Sequence, residues 1–426
     1  MLHLDISATL GSAITPSRGI PDQEMKATGA SMRRYIEDFL KERETGAHPW
    51  SMAPYDQKTA ATVKEIAAQA LAGGIRTVVW IGIGGSGLGP KAIQEIFEGP
   101  DTAEFILLDM IDPAVLDLYM RIIDWENALV VVASKSGETL ETMSAFFLCW
   151  ERLEGALKER AHERVIAVTD PLGGALRRFC LENGVRMLAI PPDVGGRFSI
   201  FTPVGLLPLA LLRADTDRFL LGAKEIDTLC QNKTPEDNPA ALLAAVQFLL
   251  DTRRDCPVRV IMPYAQRLES VARWDQQMIA ESLGKAETHN PIPLAAIGTQ
   301  DQHSLLQQWM AGPRACWHLF IREAEKPPVR VPGNVEESFG FIAGKTFGEL
   351  LDACYEGTSR ALTGAKRPHA TITLPTLDEY HLGQLFFLFC TEVVLLGKLY
   401  RIDPYGQPAV EIGKKITKEI LSGGGA

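Results

Sequence analysis

Between residues 57 and 215 the chain alternates between short apolar runs and longer stretches of helical period. The runs VVWIGI, FILLD, LVVVA, VIAVT and RMLAI carry almost no polar interruption. A strand wetted on one face would alternate apolar and polar residues, so continuous runs predict parallel strands covered on both faces. Strands are expected at 77–83, 104–109, 128–133, 164–169 and 186–190, and the helices between them complete a doubly wound α/β layer.

A polar stretch, QNKTPEDNP at 231–239, interrupts the pattern and marks the expected domain boundary. A second alternation follows: helix at 240–250, strand at 258–262, helix at 265–283, then strands at 317–321 and 371–374. Long helices are expected at about 346–363 and 378–400, and a last one at 410–421 before the SGGGA tail. With 426 residues the chain exceeds the roughly 250–300 at which one core stops growing, which agrees with two domains. The expected fold is α/β, with two doubly wound parallel sheets and a C-terminal helical tail.

Composition narrows the function. Hydrophobic residues make up 46% and charged residues 23%, the balance of an ordinary globular protein. The net charge of −10 argues against a general nucleic-acid or anionic-membrane surface, and an anionic substrate would need a local positive site. The start, MLHLDISATLGS, lacks a basic segment followed by an apolar one, and no run of about 18 apolar residues stands out. The expectation is a cytoplasmic chain. Seven cysteines are widely spaced and never form CxxC, and the eight histidines show no HExxH spacing, so no metal and no cofactor are predicted.

Two loops carry chemistry. The first strand runs into WIGIGGSGLGP at 80–90, where glycines allow a tight turn and close approach to a ligand before the next helix. Gly82, Gly84 and Gly87, with Asp109 a little over twenty residues on, also fit a dinucleotide fingerprint. Close packing of helix on strand is the plainer explanation of the glycines. The third strand runs into SKSGETLET at 134–142. Ser134, Ser136 and Thr139 can donate to phosphate oxygens, with Lys135 beside them, and Gly137 and the helix start present backbone N–H groups and a positive dipole end. A simple N-cap box built on Thr139 would explain fewer of these residues.

GIGGSGLGP followed by SKSGETLET resembles the sugar isomerase (SIS) domain, and further segments resemble the phosphoglucose isomerase family. DVGGRFSIFTPVGLLPLAL at 193–211 is similar to that family's first signature and YGQPAVEIGKK at 405–415 to its second. AESLGK at 280–285 and GTQDQHSLLQQ at 298–308 resemble the segments bearing its glutamate and histidine. The resemblance implies an aldose–ketose isomerase acting on glucose 6-phosphate and fructose 6-phosphate, with a small sugar phosphate as partner and no nucleic acid or membrane.

It also implies roles. Glu281 would be the base that moves a proton between C2 and C1, and Arg197 would stabilise the enediolate. His303 would open the ring from the partner subunit of a homodimer, and Lys414 would act near the ring oxygen. Gly85, Ser86, Ser134, Lys135, Ser136, Thr139, Gln277 and Gln407 would bind phosphate or hydroxyls. The domains become a helical arm at 1–56, SIS-type domains at 57–230 and 231–385, and C-terminal helices at 386–426 packing back on the site. The second signature departs from the family pattern at Gly406 and Ala409. A dual isomerase that also takes mannose 6-phosphate, a non-catalytic phosphosugar sensor and a dehydrogenase remain alternatives at this level.

Overall fold

The computed structural model describes residues 1–423. Its strands are β1 (His3–Asp5), β2 (Thr77–Ile81), β3 (Glu104–Leu108), β4 (Ala128–Ala133), β5 (Val165–Thr169), β6 (Arg186–Ala189), β7 (Val258–Pro263), β8 (Ile292–Ala295), β9 (Cys316–Glu323) and β10 (His369–Leu374). They form two five-stranded sheets. The first, in the order β3-β2-β4-β5-β6, is wholly parallel. The second runs β1-β10-β9-β7-β8 and is parallel except for β1, which pairs antiparallel at its edge. Three of the five continuous apolar runs behave as expected, every residue of β2, β4 and β5 being buried, while β3 and β6, at the two edges of the sheet, are partly exposed.

In the first sheet the chain moves outward from β2 to β3, then returns to the other side of β2 for β4. The order therefore reverses between β2 and β4, where open α/β sheets bind their ligands. The glycine loop and the 134–139 loop leave the carboxyl ends of these two hydrogen-bonded neighbours.

Three expectations need correction. The N-terminal segment is not only helical, since β1 joins the second sheet ahead of the Asp22–Glu44 helix. β8 was not expected, because Pro291 and Pro293 disrupt a strand pattern. As an edge strand it has one side without a ladder to fill, and tolerates them. The boundary at 386 falls within a single continuous helix, Glu379–Tyr400.

That helix is long and apolar enough to cross a membrane, yet 94% of its apolar window is buried within the protein. It packs on the helices Thr216–Cys230 and Pro239–Arg254. The close crossing needs two glycines. A Cβ on Gly222 would lie 1.8 Å from the Tyr380 carbonyl, and one on Gly383 2.0 Å from that of Phe219. Around this helix one apolar core draws on both sheets, including Val78 and Val131 from the first and Ile261, Ile321 and Ile372 from the second.

Candidate active site

The glycine loop is built by close contact. Trp80 at the end of β2 is fully buried and donates its indole N–H to the Ser86 carbonyl at 2.9 Å, fixing the turn from below. A Cβ on Gly85 would come within 2.3 Å of the Gly196 carbonyl, so the loop presses directly on the segment holding Arg197. Gly82 and Gly87 pack the turn against itself: a Cβ on Gly82 would lie 2.5 Å from the Ser86 carbonyl, and one on Gly87 2.4 Å from that of Gly82. The glycines thus serve packing and also bring the two signature segments together.

Arg197 lies in the short turn Gly196–Phe201 and is only 4% exposed. A guanidinium has five N–H donors, and five hydrogen bonds engage its nitrogens. Nε donates to Ser282 Oγ at 2.7 Å, Nη1 to Glu281 Oε2 at 3.2 Å and Gln407 Oε1 at 3.1 Å, and Nη2 to the carbonyls of Pro404 at 2.5 Å and Gly406 at 3.1 Å. Burial lowers its pKa, while the nearby Glu281 carboxylate opposes that shift.

Glu281 sits near the end of the helix Glu269–Leu283 with its side chain 30% exposed. Its other oxygen accepts from Gln277 Nε2 at 2.7 Å. Gln277, one helical turn earlier, keeps a buried Oε1 without a partner, an acceptor available to a substrate hydroxyl. The helix is tied to the one that follows the glycine loop: Glu95 accepts from the Ser270 N–H at 2.9 Å and hydroxyl at 2.5 Å.

In the 134–139 loop, Ser134 Oγ accepts from the Gly137 N–H at 3.1 Å and Ser136 Oγ from the Glu138 N–H at 3.2 Å. The Gly137 N–H is therefore engaged within the loop rather than free for a ligand, a correction to the sequence expectation. Accepting uses the lone pairs of these hydroxyls and leaves the Ser136 hydrogen free to donate outward. Thr139 occupies the N-cap of the helix Leu140–Leu157 but makes no capping bond; its hydroxyl meets that of Ser134 at 3.3 Å. The simple N-cap box is not formed. Lys135 donates to the Pro192 carbonyl, which tethers the loop to the segment ahead of Arg197.

The structure brings Gly85, Arg197, Gln277, Glu281 and Gln407 into one cluster. It does not bring His303 or Lys414 there. His303 is exposed on the short helix Gln300–Ser304. Lys414 pairs with Glu411 at 2.7 Å, both side chains more than 60% exposed, on the helix Pro408–Leu421, which has no buried residue. The expectation that the C-terminal helices pack back on the site holds only for the Gln407 turn.

Three participants escaped the sequence reading. Ser282 orients the Arg197 plane. Lys285 donates to the carbonyls of Asp403 at 2.7 Å and Tyr405 at 2.6 Å, clamping the turn that carries Gln407. Tyr405 OH accepts from Trp50 at 2.9 Å and meets His48 Nδ1 at 2.6 Å. Ser282 and Lys285 flank Glu281 in AESLGK, and Tyr405 opens the second signature, so proximity to those motifs was the available signal. Gly406 has φ +68°, a left-handed conformation that glycine takes without strain and Asp or Asn tolerate, so its departure from the pattern leaves the turn intact.

The family model for phosphoglucose isomerase matches residues 55–424. A glucose-6-phosphate isomerase of Rubrobacter xylanophilus is 38% identical over 365 residues, covering 83% of this chain and 84% of that one. A crystal structure of a hypothetical protein from Thermus thermophilus superposes with a TM-score of 0.90 at 32% identity, covering 99% of this chain and 100% of that one. A glucose-6-phosphate isomerase from Chlamydia trachomatis gives a TM-score of 0.75 at 25% identity, covering 86% and 73%. With more than four-fifths of its residues inside the family model and the signature residues Arg197, Glu281 and Gln407 joined in one cluster, the chain belongs to the phosphoglucose isomerase family.

Proposed function

We propose that the chain interconverts glucose 6-phosphate and fructose 6-phosphate through an enediolate. The observation that carries this reading is the position of Glu281, a half-shielded carboxylate held between the Gln277 amide and the Arg197 guanidinium. The 134–139 loop would anchor the phosphate. Glu281 takes the proton from C2 of the open-chain aldose and returns it to C1, while the hydroxyl proton passes from O2 to O1. Arg197 is already neutralised in part by Glu281. When Glu281 becomes protonated, that partner is lost just as negative charge appears on the enediolate, so the cation is released to the intermediate at the moment it is needed. His303 of a second subunit and Lys414 would serve ring opening in a homodimer. Seven cysteines, all unpaired, suit a reducing cytoplasm.

A coupled assay with fructose 6-phosphate tests the activity, and the pure protein is expected to turn it over without added metal or nucleotide. Glu281→Gln is expected to abolish exchange of the C2 proton with solvent while leaving phosphate binding nearly intact. Unchanged exchange would remove Glu281 from the role of base.

A further inference from the structure

Five cations gather at a cleft that shares no residue with the site above. Arg18 comes from the N-terminal loop and Arg254 from the end of the helix Pro239–Arg254. Arg314 lies just before β9, and Lys366 and Arg367 just before β10; Cys256, Cys316 and Pro368 complete the lining. The enclosed part of the cleft is small, about 10 Å³, so a ligand would sit in its open mouth. Such a gathering is unexpected in a chain of net charge −10, and its charges are poorly balanced. Of the five, among the described residues only Arg254 has a carboxylate at ion-pair distance, Glu24 at 2.8 Å.

Arg367 is the informative member. It is 3% exposed, and its Nη atoms donate to the carbonyls of Pro313 at 3.2 Å, Met310 at 2.9 Å and Gly312 at 2.7 Å, which fixes the plane of the guanidinium. Its Nε is buried with no acceptor. Burial, then the charge of Arg314, lowers its pKa. The neighbouring Cys256 cannot supply a compensating charge, because burial pushes its thiol up to about 11 and keeps it neutral. Arg18, Arg314 and Lys366 are exposed around this fixed group. Like charges repel unless an anion lies among them, and arginine forks match the oxygens of phosphate.

We propose that this cleft is a second anion site, binding a phosphate-class oxyanion through Arg367 at its base and Arg18, Arg314 and Lys366 at its mouth. Titration calorimetry with inorganic phosphate at low ionic strength tests it. Wild-type protein should bind two equivalents per chain. The double variant Arg18→Ser/Arg314→Ser, altered only at exposed side chains, should weaken one of them by about tenfold or more and leave turnover of fructose 6-phosphate unchanged. Arg18→Ser alone should give a smaller loss of the same equivalent. The variant Ser136→Ala/Thr139→Ala should lose the other equivalent. A single equivalent that the loop variant removes and the arginine variants retain would overturn the second site. If instead the loop variant changes nothing while the arginine variants lose an equivalent, the cleft stands and the assignment of the 134–139 loop falls.

Discussion

At the scale of single residues, Arg197 shows how a side chain can be fixed by its neighbours before substrate arrives. Lysine in its place would keep the charge but offer three donors from one point, so it could not hold Ser282, Glu281, Gln407 and two carbonyls together. Arg197→Lys is expected to lower kcat by about a hundred- to thousandfold, the effect of losing one preorganised stabiliser, with a smaller change in KM. Steady-state kinetics read both. His318 illustrates a residue of the opposite kind. It is fully buried on β9 with both ring nitrogens unpartnered, at 4.7 Å from the Trp309 ring and 5.8 Å from the Phe320 ring. Burial holds its pKa down at about 3. The unfolded chain takes up this proton first as pH falls, so the associated stability is present above about 6.5 and drains away between there and about 3. The slope is about 1.4 kcal/mol per pH unit for one group. His318→Phe fills the same space without polar atoms, and denaturant titrations should show equal or greater stability at neutral pH and a shallower acid decline. Arg197 and Glu281 were legible because their neighbours in sequence form motifs. No sequence pattern distinguished His318, because its isolation arises from three dimensions alone.

At the scale of elements, the placement of the two loops follows from strand order. Continuous apolar runs revealed β2 and β4 as buried parallel strands, but only the sheet shows that they are neighbours at the reversal of strand order. That adjacency places the glycine turn beside the 134–139 loop. The contact between Gly85 and Gly196 was equally hidden, because glycine motifs report tight turns without naming what approaches them. It gives a direct test. In Gly85→Ala the added methyl carbon would stand 2.3 Å from the Gly196 carbonyl and must push the segment bearing Arg197. The expected outcome is a folded protein with turnover reduced at least about tenfold, since small displacements of positioned groups are costly in catalysis. Circular dichroism together with kcat would separate this from general misfolding. Where prediction of elements failed, the reasons were local: β1 has three residues, too few for a pattern, and prolines mask β8.

At the scale of the whole molecule, the polar boundary at 231–239 separates the strands of the two sheets in sequence, β1 excepted, but not two cores in space. The helix Glu379–Tyr400 is buried along nearly its whole length and merges them, so the cluster around Arg197 draws on both halves of the chain. Yet His303 and Lys414 remain at the surface, and Ile412, Ile416 and Ile420 expose an apolar stripe on the final helix. A site that is complete only when a second copy supplies His303 makes a distinctive prediction about mixtures. Glu281→Gln and His303→Ala should each be nearly inactive alone. Unfolded together and refolded, they would form mixed dimers under the proposed homodimer. In each mixed dimer one site combines Glu281 of one subunit with His303 of the other, and the second site lacks both. Random pairing then restores activity toward about a quarter of the wild-type value, because half the dimers are mixed and one of their two sites works. If His303 acts within its own chain, every site keeps one lesion and no activity returns. The mixture therefore separates action across the interface from action within one subunit.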